Sequence, residues 1–202
     1  GPSGSGGVFF SGCTLACRFC QNSQISQQGM GREISEEELA VIFRRLEEKG
    51  ASSLNLVTGT QFVPGILAAL EKYRSRGGSL PVVWNSSGFE VPWVLKELSS
   101  TVDIWLIDLK VGDAQSALRY CGSPEYHQIA QNAAIRTANI TPLVREGNRM
   151  CRGLVLRHLV VPGHLNITHT VLSWFAQHLK NRAFISLLFQ YIPPEKGSGK
   201  IP

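Results

Sequence analysis

Residues 102–110, VDIWLIDLK, contain an apolar run that is too short for a typical helix and that ends in two charged residues. A short, near-continuous apolar run of this kind is typical of a strand buried on both faces, as in a parallel sheet. Five further runs of the same character occur along the chain. They are GVFFSG (7–12), SSLNLVTG (52–59), SLPVVWNSSG (79–88), GLVLRHLVVPG (153–163) and AFISLLFQYIP (183–193).

Helical patterns separate these six predicted strands. The signals are most complete in residues 35–50, where Ser35 is the predicted N-cap, Glu38 its capping-box partner and Gly50 the end of the helix. The alternation of strands and helices indicates parallel strands joined by helical crossovers. The remaining helices are predicted at about residues 63–76, 92–100, 113–140 (broken at GSPEY) and 167–181.

Polar residues follow each predicted strand, which favours a barrel over an open doubly wound sheet. In parallel α/β folds, sites collect at the carboxyl ends of the strands. We therefore predict an α/β fold, a partial (β/α)6 TIM-type barrel with parallel strands and outer helices; a doubly wound sheet is the alternative. Residues 1–202 are expected to form a single core domain that lacks N- and C-terminal extensions; the early start of the first strand is the reason to expect a missing N-terminal portion.

The composition is that of one globular domain, with 202 residues, 43% hydrophobic and 17% charged. The net charge of +5 comes from scattered Lys and Arg residues, so nucleic-acid binding is not indicated; an anionic small molecule or an acidic protein would suit the charge. We see neither a signal-peptide pattern nor an apolar run near the ~18 residues of a membrane span. A cytoplasmic protein with no membrane partner is the resulting prediction.

Three of the five cysteines lie in GCTLACRFCQN, residues 12–22, with the spacing C-x3-C-x2-C. An odd number of clustered cysteines indicates metal or cluster ligation in a reducing compartment rather than a disulfide framework. Zinc would need a fourth ligand, from Cys121, Cys151 or a histidine, or a water. A [4Fe–4S] cluster could be held through three irons, which leaves the fourth iron open to another ligand.

The cysteine loop, with Phe19 before its last cysteine, resembles the signature of radical S-adenosylmethionine (SAM) enzymes. The resemblance covers most of the chain and is closest to the branch related to pyruvate formate-lyase activating enzyme, among its iron–sulfur protein homologues. The other segments that carry it are LNLVTGTQFVP (54–64), WNSSGFE (84–90), DIWLIDLK (103–110) and LVLRHLVVPGHL (154–165). The resemblance implies that Cys13, Cys17 and Cys20 bind a [4Fe–4S] cluster whose fourth iron is chelated by SAM.

The resemblance also implies an activity. Reductive cleavage of SAM would yield a 5′-deoxyadenosyl radical that abstracts hydrogen, as in an oxidoreductase of the activating-enzyme type. The substrate would be a glycine Cα–H of a glycyl radical protein, and the electron would come from a donor such as flavodoxin or ferredoxin. One alternative is a radical SAM enzyme that acts on a small molecule or a peptide. Another is a non-catalytic module that binds zinc or an iron–sulfur cluster.

Family roles for two parts of the site follow from matching positions. Phe19 would lie beside the adenine of SAM, although a core aromatic under the loop is the alternative. Thr58, Gly59 and Thr60 end the second strand, where relatives often carry a Gly-Gly-Glu motif that binds the SAM amino group. Because the glutamate is absent, a hydroxyl or a backbone carbonyl must accept that hydrogen bond.

Three further strand ends carry matching residues. Asn85 and Ser87 end the third strand, where the activating enzyme has Asp-Thr-Asn-Gly. Asn85 replaces the aspartate of that motif and so removes a negative charge. A monovalent cation site found there in relatives is therefore expected to be weakened or lost. Asp108 and Lys110 match an Asp-x-Lys motif, in which Lys110 would neutralise the carboxylate of SAM or of a substrate. Asp108 could instead form a structural ion pair. Arg157 matches an arginine that reaches the SAM carboxylate.

The remaining polar candidates receive structural predictions. His158 follows Arg157 on a strand and should point the opposite way, under a helix. Cys121 and Cys151 are expected to be free thiols with no part in the cluster. Gln190 and Tyr191 are expected to end the last strand and line a substrate opening. No catalytic side chain is assigned from the sequence.

Overall fold

The computed structural model of the protein describes residues 4–193. Its main sheet contains six parallel strands in the order β1-β2-β3-β4-β6-β7. The strands are β1 (Gly6–Phe9), β2 (Leu54–Val57), β3 (Val82–Ser86), β4 (Ile104–Asp108), β6 (Arg149–Leu159) and β7 (Phe184–Leu188). Each strand thus lies where the sequence predicts one, although β6 begins earlier and β7 ends earlier than expected.

The strand order confirms the partial barrel. It follows the chain without reversal, so the sheet lacks the switch point of a doubly wound fold. Since crossovers between parallel strands are right-handed, an unreversed order places the helices on one face. The outer strands β1 and β7 do not pair with each other within residues 4–193, so the barrel is open on one side.

The helices also follow the predicted pattern. Ser35 caps α2 (Glu36–Glu48), since its hydroxyl accepts from the Glu38 backbone N–H at 3.2 Å while the Glu38 carboxylate accepts from the Ser35 N–H at 2.8 Å. Gly122, at φ 80°, ends α5 (Ala114–Cys121) in the left-handed conformation and produces the predicted break. The helices are α1 (Ser23–Ser26), α2 (Glu36–Glu48), α3 (Val63–Ser75), α4 (Pro92–Leu98), α5 (Ala114–Cys121), α6 (Tyr126–Ile140) and α7 (Leu165–His178).

Two elements have no counterpart in the sequence predictions, the one-turn helix α1 after the cysteine loop and a short strand. Strand β5 (Val144–Glu146) pairs antiparallel with the first residues of β6 and forms a hairpin with them. All three residues of β5 are exposed, so the hairpin lacks the apolar alternation by which half-buried strands are recognised.

Alternation along the strands separates the core from the inner face of the barrel. Trp84 and Trp105 are fully buried among the hydrophobic residues. The next polar residues along the same strands, Asn85 and Asp108, line a cavity instead. Because successive side chains point to opposite faces, the strands bury their tryptophans and direct their terminal polar groups inward.

The cysteine loop contacts both sides of the opening. Gln21 Nε2 donates to the backbone carbonyl of Gln190, just after β7, at 2.9 Å. On the β1 side, the Gln61 side chain donates to the carbonyls of Ser11 and Gly12 at 2.8 and 3.1 Å. Among residues 4–193, none of the helices has the length and hydropathy needed to cross a bilayer.

Candidate cofactor site

A cavity of about 360 Å³ lies at the carboxyl ends of the strands, within the size range typical of ligand pockets. It brings together residues from the cysteine loop, from the ends of all six parallel strands and from the segment after β7. The predicted residues that line it are Cys13, Cys17, Cys20, Phe19, Thr58, Asn85, Ser87, Asp108, Lys110, Arg157 and Gln190. The tertiary structure therefore collects every cofactor and metal residue predicted from the sequence in one place.

The three clustered cysteines are free thiols on the wall of this cavity, and each is partly buried. The Leu15 backbone N–H donates to Cys13 Sγ at 3.5 Å, and Ser26 Oγ lies 3.2 Å from Cys20 Sγ. Burial raises the pKa of Cys13. A bound cation would reverse that shift, because it favours the thiolate.

Cys17 has a neighbour that was not expected from the sequence. The Cys121 thiol lowers the pKa of Cys17, against the opposing effect of burial. The same interaction, together with burial, raises the pKa of Cys121. Cys121 is thus a free thiol, as predicted, but it lies near a predicted cluster ligand.

An ion-pair network spans the floor of the cavity. The Asp108 carboxylate accepts from Lys110 Nζ at 2.7 Å and from Arg157 Nε at 2.8 Å. Burial opposes ionisation of Asp108, but Lys110 and Arg157 outweigh it, so the pKa of Asp108 is lowered. Burial likewise opposes the charge of Lys110, yet Asp108 keeps its pKa above the ordinary value. With one carboxylate between two cations, the network retains one positive charge.

Asn85 and Tyr126 hold this network in place. Asn85 Oδ1 accepts from Arg157 Nη2 at 2.6 Å, so this oxygen already faces a guanidinium. The hydroxyl of the fully buried Tyr126 lies 2.7 Å from the Asp108 carbonyl and 2.9 Å from that of Ser87. It also accepts from the Lys110 backbone N–H at 3.1 Å. Tyr126, which sequence reasoning missed, therefore ties the end of β3 to the end of β4.

The segment after β2, where relatives carry Gly-Gly-Glu, has an unusual backbone. Thr58 lies at φ 59°, a left-handed conformation that is a rare exception for a β-branched residue. Its N–H donates to the Asn85 carbonyl at 2.9 Å, and its own carbonyl accepts from Gln61 Nε2 at 3.0 Å. Strain of this kind is concentrated at functional sites.

Glu90 supports this segment from behind. The Thr60 hydroxyl donates to Glu90 Oε1 at 2.8 Å, so Thr60 is engaged away from the cavity. Trp84 Nε1 donates to the same oxygen at 3.3 Å, while Oε2 has no hydrogen-bond partner among the described residues. Burial raises the pKa of Glu90. Glu90 lies in WNSSGFE, a segment that carries the family resemblance, and this was the one sequence signal that could have identified it. No local pattern indicates that its carboxyl is buried.

The other predicted residues divide between core and cavity. Phe19 is only 8% exposed and its ring centroid lies 6.4 Å from that of Tyr120, so it is a core aromatic that also borders the cavity. His158 is buried as predicted, with Nδ1 2.8 Å from the Leu109 carbonyl and Nε2 3.0 Å from Thr168 Oγ1. Gln190 borders the cavity and Tyr191 packs against the core, but both follow β7 rather than end it.

The donor set fits a cluster with SAM better than a single metal ion. Within residues 4–193, no three His, Cys, Asp or Glu side chains are grouped closely enough for one metal ion. Three free thiols instead border the cavity. Thiolates are the ligands of iron–sulfur clusters, and the positive network on the same cavity suits a carboxylate. Cys13, Cys17 and Cys20 could therefore hold the cluster, with Lys110 and Arg157 near the SAM carboxylate.

Comparison with known proteins agrees with this assignment. Residues 8–145 match the family described as the Radical SAM superfamily. An uncharacterized protein of Methanocaldococcus jannaschii, MJ0674, is 28% identical over 197 residues, which cover 94% of this chain. The chain spans 54% of the length of that relative.

Solved structures show the same fold at low sequence identity. Streptococcus suis SuiB bound to S-adenosylmethionine is 12% identical with a TM-score of 0.66, and covers 99% of this chain and 44% of its own. SuiB bound to its precursor peptide SuiA gives a TM-score of 0.63 at 10% identity, over 93% of this chain and 40% of SuiB. HydG, a maturase of the [FeFe]-hydrogenase, is 15% identical with a TM-score of 0.66, over 94% of this chain and 46% of HydG.

Proposed function

The chain belongs to the radical SAM superfamily, whose enzymes use a [4Fe–4S] cluster and SAM, and from that premise we propose that it abstracts hydrogen from a polypeptide substrate. The observation that carries the proposal is the shared cavity of three thiols and a positive network. When bound, the cofactors would supply a 5′-deoxyadenosyl radical by reductive cleavage of SAM. The chain itself must bind, orient and shield them.

Each residue that lines the cavity has a proposed role in binding the cluster or SAM. Cys13, Cys17 and Cys20 would hold three irons. Lys110 and Arg157 would attract the SAM carboxylate, since their network keeps one positive charge beside Asp108. Phe19 would lie along the adenine. A backbone carbonyl of the left-handed turn at Thr58 would accept from the SAM amino group in place of the missing glutamate.

The open side of the barrel favours a polypeptide substrate. Phe9 on the edge strand β1 is 54% exposed, and Phe189, just after the opposite edge strand β7, is 75% exposed. Phe9 also borders the cavity, so the route from the surface to the site is partly apolar. An extended segment could enter between the two edge strands, each of which pairs on one side only within residues 4–193.

Glycine is the leading residue for the reaction within such a segment. We propose an activating-enzyme type of oxidoreductase that removes a Cα hydrogen of a glycyl radical protein, with a flavodoxin or ferredoxin as electron donor in the cytoplasm. Resemblance of the strand-end segments to the activating-enzyme branch supports this choice. Peptide modification is the second candidate, favoured by the shared fold with SuiB, which was solved with its precursor peptide.

The proposal is tested with anaerobically reconstituted chain, a reductant and SAM. We expect brown protein with about four irons per chain, the number in a [4Fe–4S] cluster, and formation of 5′-deoxyadenosine. A blocked peptide with a single α,α-dideuterated glycine should then transfer deuterium into the 5′-deoxyadenosine. Cys17→Ala is the matched control and should abolish both cluster and cleavage.

Three results would overturn parts of the proposal. Colourless protein with bound zinc would exclude the [4Fe–4S] cluster and, with it, SAM cleavage and the glycyl step. Cluster-loaded protein that yields no 5′-deoxyadenosine would exclude SAM cleavage. Cleavage without deuterium transfer from any dideuterated-glycine peptide would exclude the glycyl step while leaving the radical SAM activity intact.

A further inference from the structure

The end of helix α5 is docked against the cysteine loop. The Arg18 backbone N–H donates to the Tyr120 carbonyl at 3.0 Å. The Phe19 and Tyr120 rings pack with centroids 6.4 Å apart. These contacts hold a stretch of the loop next to the last turn of the helix, and Cys17 and Cys121 are the residues that adjoin the hydrogen-bonded peptide groups.

Both cysteines are enclosed at this junction. Cys121 is only 1% exposed and belongs to the hydrophobic core, against which the partly buried Cys17 packs. Interaction with Cys121 also lowers the pKa of Cys17. A disulfide requires α-carbons about 4.4–6.8 Å apart. Cys17 and Cys121 flank a 3.0 Å backbone hydrogen bond between the cysteine loop and α5. Their α-carbons can therefore reach the disulfide distance without unfolding the loop or the helix.

The fifth cysteine provides a contrast within the same chain. Cys151 lies near the start of β6, in the exposed hairpin with β5, whereas Arg157 at the other end of β6 borders the cavity. Their separation of six positions corresponds to roughly 20 Å of strand, at about 3.3 Å per residue. Cys151 is therefore well separated from the thiols of the site.

We propose that Cys17 and Cys121 form a disulfide when the chain lacks its cluster. The oxidant is a low-molecular-weight disulfide such as glutathione disulfide. The Cys17 thiolate attacks one of its sulfurs and releases one glutathione thiolate, and Cys121 then displaces the second glutathione from the mixed disulfide. Two protein thiols lose two electrons and two protons, and one glutathione disulfide becomes two glutathione thiols.

This disulfide and the cluster exclude each other, because one sulfur cannot bond to iron as a thiolate while it is part of a disulfide. The oxidised chain therefore cannot accept a complete cluster until a thiol reductant restores Cys17. The bond also protects Cys17, since a thiol held as a disulfide is not exposed to irreversible sulfinic or sulfonic oxidation. The pair thus acts as a redox-sensitive safeguard for the empty site, and it does not depend on the substrate of the enzyme.

The test uses the full chain, freed of cluster by chelation, reduced, and then exposed to a glutathione disulfide buffer. We expect two of the five thiols to be consumed without a glutathione adduct, and peptide mapping to show Cys17 joined to Cys121. Cys121→Ser and Cys121→Ala should each leave Cys17 as a glutathione mixed disulfide. Cys151→Ser, the matched control, should form the disulfide as the wild type does.

Iron–sulfur reconstitution supplies the second readout. Oxidised wild-type chain should take up several-fold less iron than the same sample after thiol reduction. After prolonged oxidation and then reduction, wild type should recover more iron than Cys121→Ala. A disulfide between Cys17 and Cys13 or Cys20, or a stable glutathione adduct on wild-type Cys17, would overturn the proposal. Folding of each variant is checked by circular dichroism, and either Cys121 variant suffices.

Discussion

Asp108 and Arg157 are register partners on the parallel strands β4 and β6, and Arg157 Nη2 lies 2.6 Å from Asp108 Oδ1. The same nitrogen donates to Asn85 on β3 at 2.6 Å, so one guanidinium links three adjacent strand ends. Lys110 holds the second carboxylate oxygen at 2.7 Å. A neutral cation–carboxylate pair would offer an anionic ligand little attraction, but this network contains a second cation.

Arg157→Gln is expected to weaken SAM binding by the cluster-loaded protein roughly 10- to 100-fold. A hydrogen bond to a charged group contributes about 1.5–3 kcal/mol, and each 1.4 kcal/mol corresponds to a tenfold change in affinity. Equilibrium binding of SAM measures the effect. Arg149→Gln, in the exposed hairpin, is the control. Unchanged SAM affinity in Arg157→Gln would show that the guanidinium links the strand ends but does not bind SAM.

Replacing Cys13, Cys17 or Cys20 singly by Ala should prevent stable cluster assembly, because each supplies one iron with its only protein ligand in the proposed arrangement. Iron and sulfide analysis and the visible absorption of reconstituted protein measure the loss. Cys151→Ala should load as much iron as the wild type. A fully loaded Cys13, Cys17 or Cys20 variant would contradict the ligand assignment.

Thr58→Gly should stabilise the cofactor-free chain by about 0.5–1 kcal/mol. The left-handed conformation at φ 59° costs an L-residue roughly 1–2 kcal/mol, and the greater freedom of glycine in the unfolded state offsets part of the relief. Urea denaturation measures the free energy of unfolding. Thr60→Gly is the matched comparison and should be destabilised, because it loses the hydrogen bond to Glu90. A destabilised Thr58→Gly would mean that the threonine side chain compensates for its backbone.

Glu90→Gln should change how stability depends on pH. Burial raises the pKa of Glu90, so the folded state retains a proton that the unfolded chain releases above about pH 4.3. The wild type should therefore lose stability as pH rises from that value up to the raised pKa, by up to about 1.4 kcal/mol per pH unit, and level off above it.

The glutamine variant lacks this ionisation, so its advantage should be largest above the raised pKa of Glu90 and smallest below about pH 4. Thermal or urea unfolding of both proteins across the pH range measures the difference. Glu97→Gln, on the last turn of α4, is the control for a general charge effect. A constant difference between wild type and Glu90→Gln at all pH values would exclude titration of Glu90 as its cause.

Features that depend on neighbouring residues were predictable from the sequence. The capping box at Ser35 and the break at Gly122 appear where the local signals indicate them. The polar residues after the strands share one cavity, because parallel strands all present their carboxyl ends at the same edge. The exposed β5–β6 hairpin was missed because none of its β5 residues is buried and the apolar signal is absent.

The alternation of strands and helices, the spacing of Cys13, Cys17 and Cys20, and the polar strand ends could be read from the chain, since periodicity and local spacing encode each of them. Folding was needed to bring Cys121 near Cys17, Glu90 behind Thr60, and Gln21 beside Gln190, which is 169 positions away. These contacts depend on how α5, the turn after β3 and the end of β7 pack around the barrel. No short-range pattern of residue types records that packing.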